Sequence, residues 1–152
     1  MRIQEVATRD AKWCDRETDL AAAAKIMWDD DCGAVPVLDE QRRVVGMITD
    51  RDICIAAATR STSPANIRVH EIMSERVRAC HPHDDVRVAL KAMGEQRVRR
   101  LPIVDEQQRL VGIISLNDLV LHAGYRRDAG IQGDEFIDAM KAICEHRAVA
   151  AA

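Results

Sequence analysis

The sequence predicts a mixed α/β (α+β) fold: two tandem β-α-β-β-α units packed with pseudo-two-fold symmetry, followed by a C-terminal helix. Three observations carry that expectation: an internal repeat, apolar residues at helical spacing in each copy, and pairs of short apolar runs joined by a polar turn. Residues 35–53 overlie residues 101–119 without a gap at a constant offset of 66, with nine of nineteen positions identical. The match runs from Ile3 against Val69 to Ala57 against Ala123, so one supersecondary unit occurs twice. We expect repeat 1 at 3–59, a linker at 60–68, repeat 2 at 69–124 and an amphipathic helix at 131–147. A chain of 152 residues suits one core shared by two halves, each marginal alone.

Each unit should open on a short strand, near Lys12–Cys14 in the first copy and Val77–Cys80 in the second. Leu20, Ala23, Ala24 and Met27 then recur along one helical face, as do Val86, Ala89, Leu90 and Met93. Thr18 and Asp84, related by the offset, are the expected N-caps. The apolar runs 34–38 and 44–48 read as strands, and the polar turn Asp39-Glu40-Gln41-Arg42-Arg43 between them suits an antiparallel hairpin. Thr49-x-x-Asp52 and Ser115-x-x-Asp118 mark the start of the second helix in each copy. Ser61 to Asn66 is the clearest linker signal. Beyond Gly124 the repeat stops, and Phe136, Ile137, Met140, Ile143 and Cys144 form the apolar stripe of the last helix.

Composition narrows the function classes. Apolar residues make up 47%, but there is only one Phe, one Tyr and two Trp, so the core is aliphatic and no array of aromatic rings is on hand for stacking bases. A net charge of −3 with mixed signs argues against nucleic acid or an anionic membrane as partner. Arg97, Arg99 and Arg100 form one local basic spot. No apolar run reaches the roughly 18 residues of a membrane span, and the opening Met1-Arg2-Ile3-Gln4-Glu5 does not read as a signal peptide, so a soluble cytoplasmic protein is expected. Five cysteines without a Cys-x-x-Cys pair point to reduced thiols. Cys14 and Cys80 are repeat mates and default to buried small apolar residues, with a redox pair the alternative. Cys80-His81-Pro82-His83 invites a metal reading but lacks a partner pair, so no metal site is assigned. The run Asp29-Asp30-Asp31 opposes the dipole at the end of the first helix and should splay into solvent. Gly-x-Ser-x-Gly and phosphate-loop motifs are missing from the sequence, so no catalytic residue is nominated and an enzyme is not expected.

The hydrophobic-Pro-hydrophobic-hydrophobic-Asp strand, the Val-Gly-hydrophobic-Ile strand and the Thr/Ser-x-x-Asp helix start, each present twice and in order, make the chain resemble a pair of CBS domains, the regulatory Bateman module. Length, Thr49-Asp50-Arg51-Asp52-Ile53 and the ending Met140 to Cys144 are similar to the small stand-alone hypoxic response proteins among bacterial CBS pairs. The resemblance implies a cleft on each side of the seam for an adenine nucleotide such as AMP, ADP or ATP, or an S-adenosyl compound such as S-adenosylmethionine. It further implies that Thr49 or Ser115 meets phosphate and that Asp52 or Asp118 holds the ribose hydroxyls. A basic residue just before the hydrophobic-Pro pair contacts phosphate in nucleotide-sensing relatives, and Arg99 and Arg100 stand there in copy two against Gly33 and Ala34 in copy one. It also implies a homodimer, and signalling through an unidentified effector protein.

Elementary chemistry agrees with those roles. A helix N-terminus offers unpaired N–H groups and partial positive charge to a phosphate, and a carboxylate accepts from both hydroxyls of a ribose diol. Asp50 would repel a phosphate beside Thr49, an effect that Arg51 offsets. Gly46 and Gly112 permit close approach of a ligand or of neighbouring backbone. The competing reading is local: Ser/Thr-x-x-Asp is also a capping box, with hydroxyl and acid turned to the helix's own N–H groups. A ligandless stress-response scaffold is the corresponding alternative function, and the three arginines would then be a solvated or dimer-facing surface.

Overall fold

A computed structural model describes residues 1–122 and 131–145. The chain runs α1 (Ile3–Val6), β1 (Cys14–Asp15), α2 (Leu20–Asp29), β2 (Ala34–Leu38), β3 (Val44–Thr49), α3 (Asp50–Thr59), then α4 (Val86–Gln96), β4 (Arg100–Val104), β5 (Leu110–Ser115), α5 (Leu116–His122) and α6 (Gly133–Cys144). A single 3-10 turn at Pro64–Asn66 lies in the connection between copies, and another at Val69–Glu71 opens copy two where α1 opens copy one. The expected repeat end near Ala123 and Gly124, and the expected last helical positions 146 and 147, lie outside the described residues. No described helix is long and apolar enough to cross a membrane.

Both hairpins form as the turn chemistry dictates. In the first, the Asp39 carboxylate accepts the N–H groups of Gln41 and Arg43 at 3.0 and 2.9 Å. Asp105 does the same for Gln107 and Arg109 at 2.9 and 2.8 Å, so one acid organises each turn. β2 pairs antiparallel with β3, β4 with β5, and β1 adds parallel to β2. The opening strand is shorter than expected. In copy one it begins at Cys14, and in copy two it shrinks to one parallel bridge, Cys80 to Ile103. Upstream of that bridge the Val77 N–H is used within a turn, on the Glu75 carbonyl.

The N-caps fall one residue later than expected, at Asp19 and Asp85, which accept from Ala22 and Arg87. Thr18 instead bonds Asp15 through its hydroxyl, and Asp84 accepts from His81. Each residue is drawn into the preceding turn, leaving its neighbour at the helix start. The acidic run after α2 is exposed, with Lys25 on Asp29 and Lys12 at 3.7 Å from Asp30.

The expectation of one shared core is corrected. Two apolar clusters exist, one per copy, and each is completed by the leading segment of the other. Ile3 and Val6 pack with Val86, Leu90, Leu101, Ile114 and Leu119 of copy two, while Ile67, Val69 and Met73 pack with Leu20, Val35, Ile48 and Ile53 of copy one. Backbone bonds repeat the exchange at the same offset: Ile3 N–H to the Asp84 carbonyl and Val69 N–H to the Thr18 carbonyl. Thr8 pairs with Ile113 as Ser74 pairs with Met47. The pairing of Arg43 with Arg109 lies on the pseudo-two-fold axis, because each is the other's repeat mate.

Among the described residues, α6 packs on copy two. Phe136, Ala139, Met140 and Ile143 rest on its core, and Gly94 of α4 lets them close in, with Ala139 Cα 3.6 Å from where a Cβ would stand. The repeat mate of Gly94 is Trp28, which is 85% exposed, so α2 has no matching seat for a helix at that distance.

The exchange makes a direct prediction. Ile3 is fully buried, so Ile3→Ala should cost about 2–5 kcal/mol in urea unfolding. Hydrogen exchange should quicken in β5 and α5 of copy two ahead of β3 and α3 of copy one. Faster exchange confined to copy one would contradict the packing.

Candidate functional site

The geometry of the antiparallel ladders gathers the candidate residues. Arg100 faces Ser115 across the β4–β5 pair, and directly opposed residues share a face with Cβ atoms about 5 Å apart. Asp118 then returns to Ser115 from the first turn of α5. Its Oδ2 accepts the Ser115 N–H at 2.7 Å and the Ser115 hydroxyl at 2.6 Å, while Ser115 Oγ accepts the Asp118 N–H at 3.2 Å. Arg100, Ser115 and Asp118 therefore form one group. Copy one repeats the frame with Ala34 opposite Thr49. Its Asp52 Oδ2 accepts the Thr49 N–H at 3.0 Å and hydroxyl at 2.7 Å.

Both helix starts are thus closed capping boxes, the local alternative raised by the sequence. One carboxylate oxygen of each acid is engaged; among the described residues Oδ1 of Asp52 and of Asp118 accepts no hydrogen bond. All four side chains are half-buried. The two hollows described on the surface are lined by other residues: one by Met1, Val6, Val86, Leu119, His122 and Ile131, the other by Arg9 to Trp13 with Arg42, Leu110 and Val111.

The basic spot divides. Arg97 sits in the left-handed cap of α4 and bonds Glu145 beyond α6 at 3.1 Å, which removes it from the candidate group. Arg99 is exposed and Arg100 half-buried, and neither guanidinium pairs with a described residue. Arg100 is felt across the seam. Burial pushes the half-buried Cys32 thiol up, and the Ala34 backbone and the charge of Arg100 pull against that rise. In copy one Asp50 stands over Gly33, the repeat mate of Arg99, its Oδ2 lying 2.8 Å from where a Cβ on Gly33 would stand. Arg51 is exposed and donates its N–H to the Asp50 carboxylate. One half presents a cation and the other an anion.

The glycines of the second strand serve the exchange of leading segments. A Cβ on Gly112 would meet the Thr8 carbonyl oxygen at 2.7 Å, and one on Gly46 would meet the Met73 sulfur at 2.6 Å. Cys14 and Cys80 are buried within the two cores. Burial, reinforced by Asp15, pushes the Cys14 thiol up to about 12, and burial with Asp84 pushes Cys80 up to about 11. Both stay protonated at neutral pH, so neither has thiolate character. His81 spends Nδ1 on the Val104 carbonyl at 3.1 Å. Among the described residues no group of three or more His, Cys, Asp or Glu side chains is placed to hold a metal ion.

Comparison with known proteins decides the family. The CBS domain profile matches residues 3–58 and again 69–124. The chain is a CBS domain protein. Its two CBS domains are the two copies just described. It is similar to an uncharacterised protein of Methanopyrus kandleri, 33% identical over 78% of this chain and 60% of that one. It is also similar to Hypoxic response protein 1 of Mycobacterium tuberculosis, 31% identical over 86% of this chain and 85% of the relative. A crystal structure of Hypoxic Response Protein I with two coordinated zinc ions aligns at a TM-score of 0.74 and 28% identity, covering 82% of this chain and all of that one. The CBS pair of protein MJ0100, in complex with 5-methylthioadenosine and S-adenosyl-L-methionine, aligns at 0.72 and 25% identity over 80% of this chain and 94% of that one.

Two measurements check this geometry. Gly112→Ala pushes on backbone and should cost about 1–3 kcal/mol, whereas Gly46→Ala pushes on a flexible methionine and should cost less in the same urea series. Iodoacetamide at mild alkaline pH should label exposed Cys54 and Cys144 and spare Cys14 and Cys80 until the chain unfolds. Mass spectrometry of the native protein would refute this if either buried thiol were modified at a comparable rate.

Proposed function

We propose that this CBS pair is a regulatory, non-catalytic protein that binds an adenosine compound at the Arg100, Ser115 and Asp118 group and answers by a shift of conformation. The observation that carries the reading is an Asp118 Oδ1 that accepts no hydrogen bond among the described residues, on the acid that caps Ser115, with Arg100 opposite Ser115 in the ladder and likewise without a described partner. The capping box consumes only Oδ2, so a ribose hydroxyl can be held without uncapping α5, and a phosphate finds a guanidinium and a helix start together. The 5-methylthioadenosine and S-adenosyl-L-methionine of the MJ0100 pair support an adenosine compound as the ligand class. Thr49, Asp52 and Arg51 form the weaker half, because Asp50 next to Thr49 repels a phosphate and Ala34 stands in place of Arg100. A ligand shifts the equilibrium only as far as it favours one arrangement.

The response passes to a second copy of the chain and through it to an effector protein. Ile55 and Leu121 are repeat mates, 51% and 80% exposed, and their neighbours Cys54 and Val120 are mates too. A two-fold-related apolar face on α3 and α5 suits a homodimer. The closed capping boxes favour a second reading, a ligandless stress-response scaffold.

Calorimetric titration with AMP, ADP, ATP and S-adenosylmethionine separates the two. The sensor requires saturable binding that Asp118→Ala abolishes, with thermal melts showing the variant folded. Arg100→Gln should weaken the phosphate-bearing ligands by about 10–100-fold, the value of a charge-assisted hydrogen bond, and leave S-adenosylmethionine little changed. Silence from all four compounds with an intact melt would leave the scaffold standing.

A further inference from the structure

One of the two described hollows, away from the Ser115–Asp118 pair, is rich in cations. A cleft of about 300 Å³ opens between the segment Arg9–Trp13 and the start of β5, Leu110 and Val111, with Arg42 of the first hairpin closing its third side. Three cations meet one acid, Asp10, in a chain whose net charge is −3. Their present partners are weak: Arg9 reaches the Gln4 carbonyl at 3.4 Å and Lys12 stands 3.7 Å from an exposed Asp30. Arg42 lies over the Trp13 ring, 5.0 Å from its centroid. A stacked guanidinium keeps its N–H edge free for an anion in its own plane, and no described side chain takes it.

The repeat supplies an internal control. The mates of Trp13 and Arg42 are Ala79 and Gln108, and the mate of Arg9 is Glu75; Lys12 alone of the cations has a basic mate, Arg78. Arg42 and Gln108 share the same left-handed backbone, φ 63° in both, so the hairpin does not call for arginine. The indole, 39% exposed, and the cation above it are therefore built on one side of the molecule only, with no demand from the fold.

We propose that this cleft binds a small organic anion with a flat apolar body, of the aryl phosphate or aryl carboxylate class. The charged end lies against Arg42 and Lys12, and the body covers Trp13, Leu110 and Val111. The inference is independent of the adenosine reading.

Replacing Trp28 by Phe leaves Trp13 as the one indole, so its fluorescence can report titrations with phenyl phosphate, benzoate and inorganic phosphate. A saturable change with phenyl phosphate or benzoate is expected. Arg42→Ala and Lys12→Ala should each weaken it about tenfold or more, and Asp118→Asn should leave it unchanged. Calorimetry on the same variants guards against a change in Trp13 emission from losing Arg42 itself. A response that never saturates, equal binding by Arg42→Ala, or loss in Asp118→Asn with Arg42→Ala intact would overturn the proposal. So would inorganic phosphate binding as tightly as phenyl phosphate, since the flat body would then contribute nothing.

Discussion

Everything in this molecule depends on a trade: each copy gives its leading segment to the other. Ile3 and Val6 finish the core of copy two, and Val69 and Met73 finish that of copy one. A half of roughly 55 residues buries too little apolar surface to offset its chain entropy alone. Reciprocal donation solves that problem without a single central core. It also fixes the relative placement of the copies, because a slip of either segment breaks a bridge and empties a pocket at once. Gly46 and Gly112 follow from the same constraint, since a Cβ there would meet the donated segment, at the Met73 sulfur and the Thr8 carbonyl oxygen.

The second theme is divergence laid on an almost symmetric frame. The ladder positions that bring Arg100 to Ser115 bring Ala34 to Thr49. Matching ladder positions therefore carry a cation in one half and a small apolar residue in the other, where Asp50 over Gly33 adds an acid. The same holds at Trp13 and Arg42 against Ala79 and Gln108, and at Trp28 against Gly94. Duplication supplies two equivalent scaffolds, and substitutions at positions outside the core make them chemically different without disturbing the exchange.

Much of this was legible in the sequence, and the boundary of legibility has a physical cause. Features set by short-range pattern came through: both hairpins and the helical faces. At Thr49–Asp52 and Ser115–Asp118 the pattern fitted a ligand site and a cap equally, and the folded chain closes the cap. The caps slipped by one residue because Thr18 and Asp84 have rival partners in the preceding turn, and pattern alone does not rank such rivals. The donated segments were hidden because sequence comparison reports which residues are alike, not which copy they pack with. Ile3 aligns with Val69 as its mate yet touches the other half. Arg97 reads with Arg99 and Arg100 in sequence, but Glu145, the residue after α6 and 48 positions away, takes its guanidinium. The cleft beside Trp13 had no sequence signal beyond the difference between mates, which could have flagged it.

Donation also sets the order of events during synthesis. Ile3 and Val6 leave the ribosome well before Leu119, the far wall of the pocket they fill, a wait on the order of ten seconds at ordinary elongation rates. The first copy, by contrast, can close as soon as Met73 emerges. Nascent chains of this kind pass through a stage with one finished half and a tethered apolar stub, a state in which chaperone capture or pairing with a neighbouring polysome product competes with correct closure.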